Sequence, residues 1–261
     1  MVNDLIKLIC IGVFLFINNY TQAQSKKYTV ANAHSHNDYL NDQPFERAWK
    51  NGFGSIEADI FPVNEILCVA HSKKEIKPER TLKKLYLDPL LDALKNDKSH
   101  HVKLLIDIKE DHKLCLDLLI REIGPLKKYL SAAKKSKTIT ILISGERPEP
   151  KDYKNYPDYI FFDDDLKMPH TDAEWKRVGQ VSLSFTKFSA WKGVDSIASK
   201  DKKLIKQVID SVHLAGKTIR FWAAPDNEIS WLLQMELGAD LIGTDKIDEL
   251  AGFLRRRSKD E

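Results

Sequence analysis

Short stretches of alternating polarity and longer stretches of helical spacing follow one another along nearly the whole chain. In 55–60, Ile56, Ala58 and Ile60 interleave with Glu57 and Asp59. Successive strand side chains point to opposite faces, so both carboxylates share one face and the apolar residues the other. The run 102–108 repeats the pattern: Leu104, Ile106 and Ile108 alternate with Leu105 and Asp107, and Lys109 stands just beyond. Further strands are predicted at 28–33, 66–70, 138–143, 159–162, 180–185, 217–222 and 240–243. Helices are predicted at 44–51, 81–96, 114–123, 172–178, 201–214, 227–237 and 247–256, with a turn at 62–65. In 81–96, Leu82, Leu85, Leu90, Leu91 and Leu94 recur at helical spacing, and Pro89 restarts the helix. Gly124-Pro125 and Gly216 stop two others. The loop 186–198, with Lys187, Phe188 and Trp191, is long enough to serve as a lid. About eight β–α units in series imply parallel strands and a (β/α)8 TIM barrel. An open doubly wound sheet is the alternative, but no strand is followed by a glycine-rich phosphate loop.

Residues 5–18 form a nearly unbroken apolar run, too short and too close to the terminus for a membrane span. The small residues that follow, through Ala23, make 1–23 a predicted signal peptide, with 24–261 as the mature domain and a secreted or periplasmic location. An uncleaved anchor is the competing reading. Cys10 is in the wrong context for a lipoprotein. Cys68 and Cys115 are expected in a strand and a helix, as free thiols without a disulfide framework. The net charge of +3 across 261 residues gives no argument for nucleic acid. Lys134, Lys135, Lys137 and Arg255–Arg257 fit solvated helix ends, and the last group could aid a transient contact with anionic lipid. No obligate protein partner is implied.

In a (β/α)8 barrel the chemistry sits where strands end. Glu57, Asp59 and Asp107 therefore gather as three oxygen donors at one rim, a set suited to Mg²⁺ or Ca²⁺ rather than zinc. The competing reading pairs these acids with Lys109 or Arg220 in a structural ion-pair network. His34, ending the first strand, and His71, after the strand 66–70, are candidate acid–base groups, because imidazole exchanges protons near neutral pH. His36 either holds substrate, orients His34 or is a structural donor. Arg220 would aim at an anion and Trp222 would wall the pocket; the alternative is a rim ion pair and a core indole. Asn37 and Asp38 either cap the first helix or reach the site. Ser144 and Glu146 are weaker candidates.

Taken together these residues resemble the phosphatidylinositol-phospholipase C-like and glycerophosphodiester phosphodiesterase superfamily. The resemblance covers 30–110 and 217–250. It is carried by the first-strand histidine, Glu57-x-Asp59, His71, Leu105-x-Asp107-Ile-Lys109, and the closing FWAAPDNE and LGADLIGTD. It implies His34 and His71 as the acid–base pair, Glu57, Asp59 and Asp107 as metal ligands, and Lys109 and Trp222 as substrate contacts. Departures are His34-Ser35-His36-Asn37-Asp38-Tyr39 in place of His-Arg-Gly, Ser72 where an acid usually follows the second histidine, and Asp107 where glycerophosphodiesterases commonly carry Glu. There is also little room for their inserted domain. HSHNDY is more similar to the branch named altered inheritance of mitochondria. The expected activity is metal-dependent hydrolysis of a small-molecule or lipid phosphodiester. Two rivals remain. One is an amidohydrolase or PHP-type metallohydrolase using His34-x-His36 and Asp245. The other is a non-catalytic barrel that binds lipid headgroups.

Overall fold

The structure is a computed structural model describing residues 26–97, 99–132 and 137–260. The predicted signal peptide, Cys10, Lys134 and Lys135 lie outside the described residues. Nine strands form one sheet: β1 (Ala33–Ser35), β2 (Ser55–Val63), β3 (Ile66–Val69), β4 (Val102–Ile108), β5 (Ile139–Gly145), β6 (Ile160–Asp164), β7 (Val178–Ser184), β8 (Ile219–Trp222) and β9 (Ile242–Thr244). All but β3 run parallel, in the order β8-β7-β6-β5-β4-β2-β1-β9, and a bridge between Arg220 and Leu241 brings the two ends together. The result is a nearly closed eight-stranded (β/α)8 barrel. Among the described residues its α-helices are α1 (Glu46–Asn51), α2 (Asp88–Asn96), α3 (His112–Glu122), α4 (Asp172–Trp175), α5 (Ser199–Leu214), α6 (Glu228–Leu237) and α7 (Ile247–Asp260). Among the described residues no helix is long and apolar enough to cross a membrane.

Two layers of packing follow from the alternation. Ile56, Ala58, Ile60, Leu104, Ile106, Ile141 and Ile143 point outward and are fully or almost fully buried under the helices. The register Glu57↔Leu105, Asp59↔Asp107 and Asp107↔Ser144 sets the other face toward the axis. That interior is polar for a barrel core. At its floor Lys103 Nζ donates to Gln180 Oε1 (3.3 Å) and Thr218 Oγ1 (3.1 Å), and burial pushes this lysine down to about 8. Cys68 and Cys115 are buried free thiols.

Several expected bounds shift. The strand at 28–33 is displaced to Ala33–Ser35 because Val30–Asn32 form a 3₁₀ turn. There the Asn32 side chain accepts the Thr29 N–H (3.0 Å) and donates to the Asp240 carbonyl (3.0 Å). Pro62 and Val63 are not in a turn. They extend β2 by pairing antiparallel with Leu67 and Ile66, and the turn is Asn64-Glu65, both at positive φ as a two-residue hairpin requires. The helix expected at 81–96 opens with a π-helical turn, Lys83–Leu87, before α2, which tolerates Pro89 in its first turn. The helix at 172–178 is one capped turn, because Val178 is already paired with Phe162 in β7.

Candidate active site

At the carboxyl ends of the strands lies a cavity of about 500 Å³ whose walls include His36, Glu57, His71, Asp107, Lys109 and Trp222. Glu57, Asp59 and Asp107 converge there with ligand oxygens within 4.8 Å of one another. Their alternation in β2 and β4 and the pairing Asp59↔Asp107 produce this directly. Lys109 Nζ lies between two of them, 2.7 Å from Asp59 Oδ2 and paired with Asp107. Ser144 Oγ donates to the other Asp107 oxygen at 2.6 Å. Burial lifts the Asp59 carboxyl above its ordinary value against the pull of Lys109. Burial would also raise Glu57, but Arg220 and His34 outweigh it and hold that carboxyl below the usual range. The expected ion pairs with Lys109 and Arg220 therefore do form. They leave three convergent hard oxygens, a donor set that suits Mg²⁺ or Ca²⁺.

The two histidines of the first strand have different fates. His34 is sealed, with 0% of its surface exposed. Its Nδ1 meets Ser55 Oγ at 2.8 Å. Glu57 Oε2 and Arg220 Nη1 each stand 2.8 Å from Nε2, so that nitrogen either donates to the carboxylate or accepts from the guanidinium. Burial, then the neighbouring Arg220, pushes His34 down to about 4. It does not border the cavity, so the structure does not place it as a group that meets substrate. His36, two residues on and one layer higher, does border it. Its Nδ1 is 2.7 Å from Asp245 Oδ1; burial pulls His36 down, but this bond together with the charges of Glu57 and Asp245 raises it above its ordinary value. The Asn37 side chain also donates to Asp245, at 3.3 Å, so Asn37 supports its neighbours rather than facing the cavity.

His71 follows β3 and is mostly exposed. Its Nδ1 lies 3.1 Å from Tyr39 Oη and 3.3 Å from Asp59 Oδ2. Tyr39 is buried and its hydroxyl also reaches Asp59 Oδ2 at 2.7 Å and Asn37 Oδ1 at 2.8 Å. Burial and the facing acids raise this phenol far above its normal value, so it stays a donor. Arg220 is buried, with Nε donating to Ser182 Oγ at 2.8 Å and Nη1 3.3 Å from Glu57 Oε2. Much of its hydrogen-bonding capacity thus serves Glu57 and His34. Trp222 is 47% exposed and forms a wall, as expected.

Asp38 is structural: its carboxylate accepts from Ser35 Oγ (2.8 Å) and from the Phe45 N–H ahead of α1. Glu146 holds His112 Nδ1 at 3.1 Å instead of entering the cavity. The loop 186–198 is packed down rather than hanging over the mouth. Phe188 sits edge-on to Phe221 with centroids 5.8 Å apart, and Trp191 Nε1 donates to the Val194 carbonyl. Tyr39, Ser182, Arg147 and Asp163 escaped the sequence reading. Asp163 lines the cavity and burial pushes it up to about 6. Its signal, alternation within FFDDD, was present but weak. Among the described residues the metal-competent grouping is the acid trio. His36 reaches Asp245, but His34 is taken up by Ser55, Glu57 and Arg220, so the three do not converge as the rival HxH site requires.

Comparison with known proteins relates the first part of the chain to a phosphodiesterase domain. Residues 22–103 match the AIM6-like phosphodiesterase domain. The chain is similar to an altered inheritance of mitochondria protein 6 homolog of Arthroderma benhamiae, 26% identical over 84% of this chain and 82% of the relative. It is also similar to altered inheritance of mitochondria protein 6 of Zygosaccharomyces rouxii, 28% identical over 82% and 67%. In fold it matches a glycerophosphodiester phosphodiesterase of Parabacteroides distasonis (TM-score 0.56, 14% identity, 84% of this chain and 91% of that one). A calcium-dependent phosphoinositol-specific phospholipase C of Pseudomonas follows (0.53, 13%, 85% and 92%). The resemblance to the altered-inheritance branch therefore holds, and the solved structures share the fold. The expected secreted or periplasmic location does not hold: the relatives are named for mitochondrial inheritance, and that overturns it.

Proposed function

We propose that the protein is a divalent-cation-dependent phosphoric diester hydrolase acting on a glycerophosphodiester or phospholipid headgroup, with His36 and His71 as its acid–base pair. The observation that carries this reading is that these two imidazoles border the same cavity as the acid trio, whereas His34 is sealed beneath it. Glu57, Asp59 and Asp107 would hold Mg²⁺ or Ca²⁺, which when bound supplies positive charge at the phosphoryl oxygens. Lys109 adds a cation beside the same oxygens. His71, with Nδ1 on Tyr39 and Asp59, has Nε2 left to take the proton of the attacking hydroxyl, from water or from the substrate itself. His36, its Nδ1 held by Asp245, gives a proton to the leaving oxygen as its bond to phosphorus breaks. Trp222 walls the group beyond the phosphate.

The test is hydrolysis of bis(p-nitrophenyl) phosphate. Chelation should stop turnover, and His36→Ala and His71→Ala should each lower it roughly 10²–10⁴-fold. Turnover that is indifferent to EDTA, or that survives His36→Ala at the full rate, would show the assignment to be wrong.

A further inference from the structure

The two closing stretches of the chain, FWAAPDNE and LGADLIGTD, are tied together by Asp226. This residue is half-buried in the connection between β8 and α6. Its Oδ2 accepts the backbone N–H of Asp245 at 2.9 Å, and its Oδ1 accepts the indole N–H of Trp231 at 2.8 Å. Lys246 Nζ donates to the Asp226 carbonyl at 3.1 Å. Trp231 is 1% exposed and packs on Phe253 of α7, with centroids 5.6 Å apart. One oxygen of Asp226 is thereby anchored in the helical layer, and the other holds the loop after β9.

That loop needs the tie. The Asp245 side chain is 54% exposed and borders, with His36, Trp222 and Asp226, a side cavity of about 150 Å³. Packing leaves such a carboxylate free to turn, so hydrogen bonds must fix it. β9 ends at Thr244, whose carbonyl accepts the His36 N–H at 3.0 Å and whose hydroxyl accepts the Lys246 N–H at 2.8 Å. Neither bond acts on Asp245 itself. Its backbone N–H is held by Asp226, and its carboxylate then stands 2.7 Å from His36 Nδ1. The Asn37 side chain also donates to that carboxylate, but at 3.3 Å it is the weaker guide.

We infer that Asp226 is a positioning residue: by fixing the backbone of Asp245 it aims the Asp245 carboxylate at His36, and so sets how that imidazole faces the cavity. With Nδ1 committed to Asp245, Nε2 is the nitrogen left for whatever the cavity holds. A carboxylate can orient an imidazole only if it is itself held in place, and here the support runs from Trp231 through Asp226 to Asp245. This deepens the hydrolase reading and rests on it only for the proton that His36 gives.

The test follows His36 itself. In protein labelled with ¹⁵N-histidine, the His36 signals are those missing from His36→Ala. Their titration midpoint reports the bond to Asp245, which raises it; Glu57 of β2, Arg220 of β8 and His34 of β1 are the other titratable or charged groups beside this imidazole. Asp226→Ala removes both acceptors from a loop position. It should keep the wild-type circular dichroism and drop the midpoint most of the way to that of Asp245→Asn. On bis(p-nitrophenyl) phosphate it should lower kcat roughly 10–100-fold with KM little changed. Asp226→Asn combined with Trp231→Phe restores one acceptor and removes the competing indole donor, so the amide oxygen is free for the Asp245 N–H. This double variant should recover most of the midpoint and of kcat, although it loses a buried indole. If Asp226 served stability alone, the double variant would be the worse of the two. A His36 midpoint unmoved by Asp226→Ala, or a double variant with lower kcat than Asp226→Ala, overturns the proposal. A midpoint that falls as expected, with no turnover by any form including the wild type, sinks the hydrolase reading and leaves the positioning role standing.

Discussion

His34 and His36 point the same way from one short strand and differ only in height. The lower one is enclosed by Ser55, Glu57 and Arg220, and the upper one meets the cavity. Alternation along a strand identifies a face but not a depth, so the sequence marked both imidazoles and pointed to His34 as the acid–base group, whereas His36 is the one that meets the cavity. Glu57, Asp59 and Asp107 needed no such choice, because all three are polar intrusions on a common face. Depth also governs ionisation. Asp163, held up to about 6, binds its proton more tightly in the native state than in the unfolded chain. The native state therefore loses stability as pH rises from about 4 to about 6. His34, pushed down to about 4, works the other way: the unfolded chain binds the proton first, and stability grows as pH rises from about 4 to about 6.5. The two nearly offset each other in the wild type. Asp163→Asn should leave the His34 contribution exposed. Relative to wild type, the variant's unfolding free energy should climb by on the order of 2 kcal/mol between pH 4 and 6. Urea titrations at the two pH values would measure this, and parallel curves would contradict it.

At the scale of elements, the strands that carry the acids were legible almost to the residue, because the register of β2 on β4 follows from their matching patterns. The first strand was not. Its bounds depend on a side-chain bond between Asn32 and a carbonyl more than two hundred residues away, which no local window contains. The end of β5 shows how one backbone position controls the site. Gly145 has φ +71°, and a Cβ there would fall 2.3 Å from the Ile108 carbonyl oxygen and 2.8 Å from Asp107 Oδ1. Gly145→Ala should displace the Asp107 carboxylate and weaken divalent-cation binding by roughly 10–100-fold, the typical cost of disturbing the support of a metal ligand. Calorimetric titration of Mg²⁺ and Ca²⁺ is the measurement; an unchanged affinity would mean that β5 yields instead of Asp107.

At the scale of the whole molecule, barrel closure could be expected from eight repeating units but not seen in any one of them. The join between β8 and β9 is a single bridge. Because the acid trio draws on β2 and β4 of this closed wall, a cation held there should stabilise the entire fold. Near a hundredfold excess over its dissociation constant, Mg²⁺ or Ca²⁺ should raise the melting temperature by about 5–10 °C. Asp107→Asn should abolish most of that rise in a thermal scan with and without EDTA. A melting temperature blind to the ion would argue that Lys109 already serves as the resident charge between Asp59 and Asp107.

One strand stands apart from the closed wall. β3 folds back on the protruding end of β2, and His71 is carried just past its tip, where the Ala70 N–H is tied to the Asp59 carbonyl. The imidazole is thus mounted on an appendage, while the carboxylates are built into the frame. Lengthening or shortening that arm in steps of two would carry the imidazole toward or away from the frame without redirecting it, and a step of one would turn it to the other side. Such an arrangement lets descendants of the same barrel adapt to cavity occupants of different bulk by editing a hairpin, with every stave of the barrel left as it was.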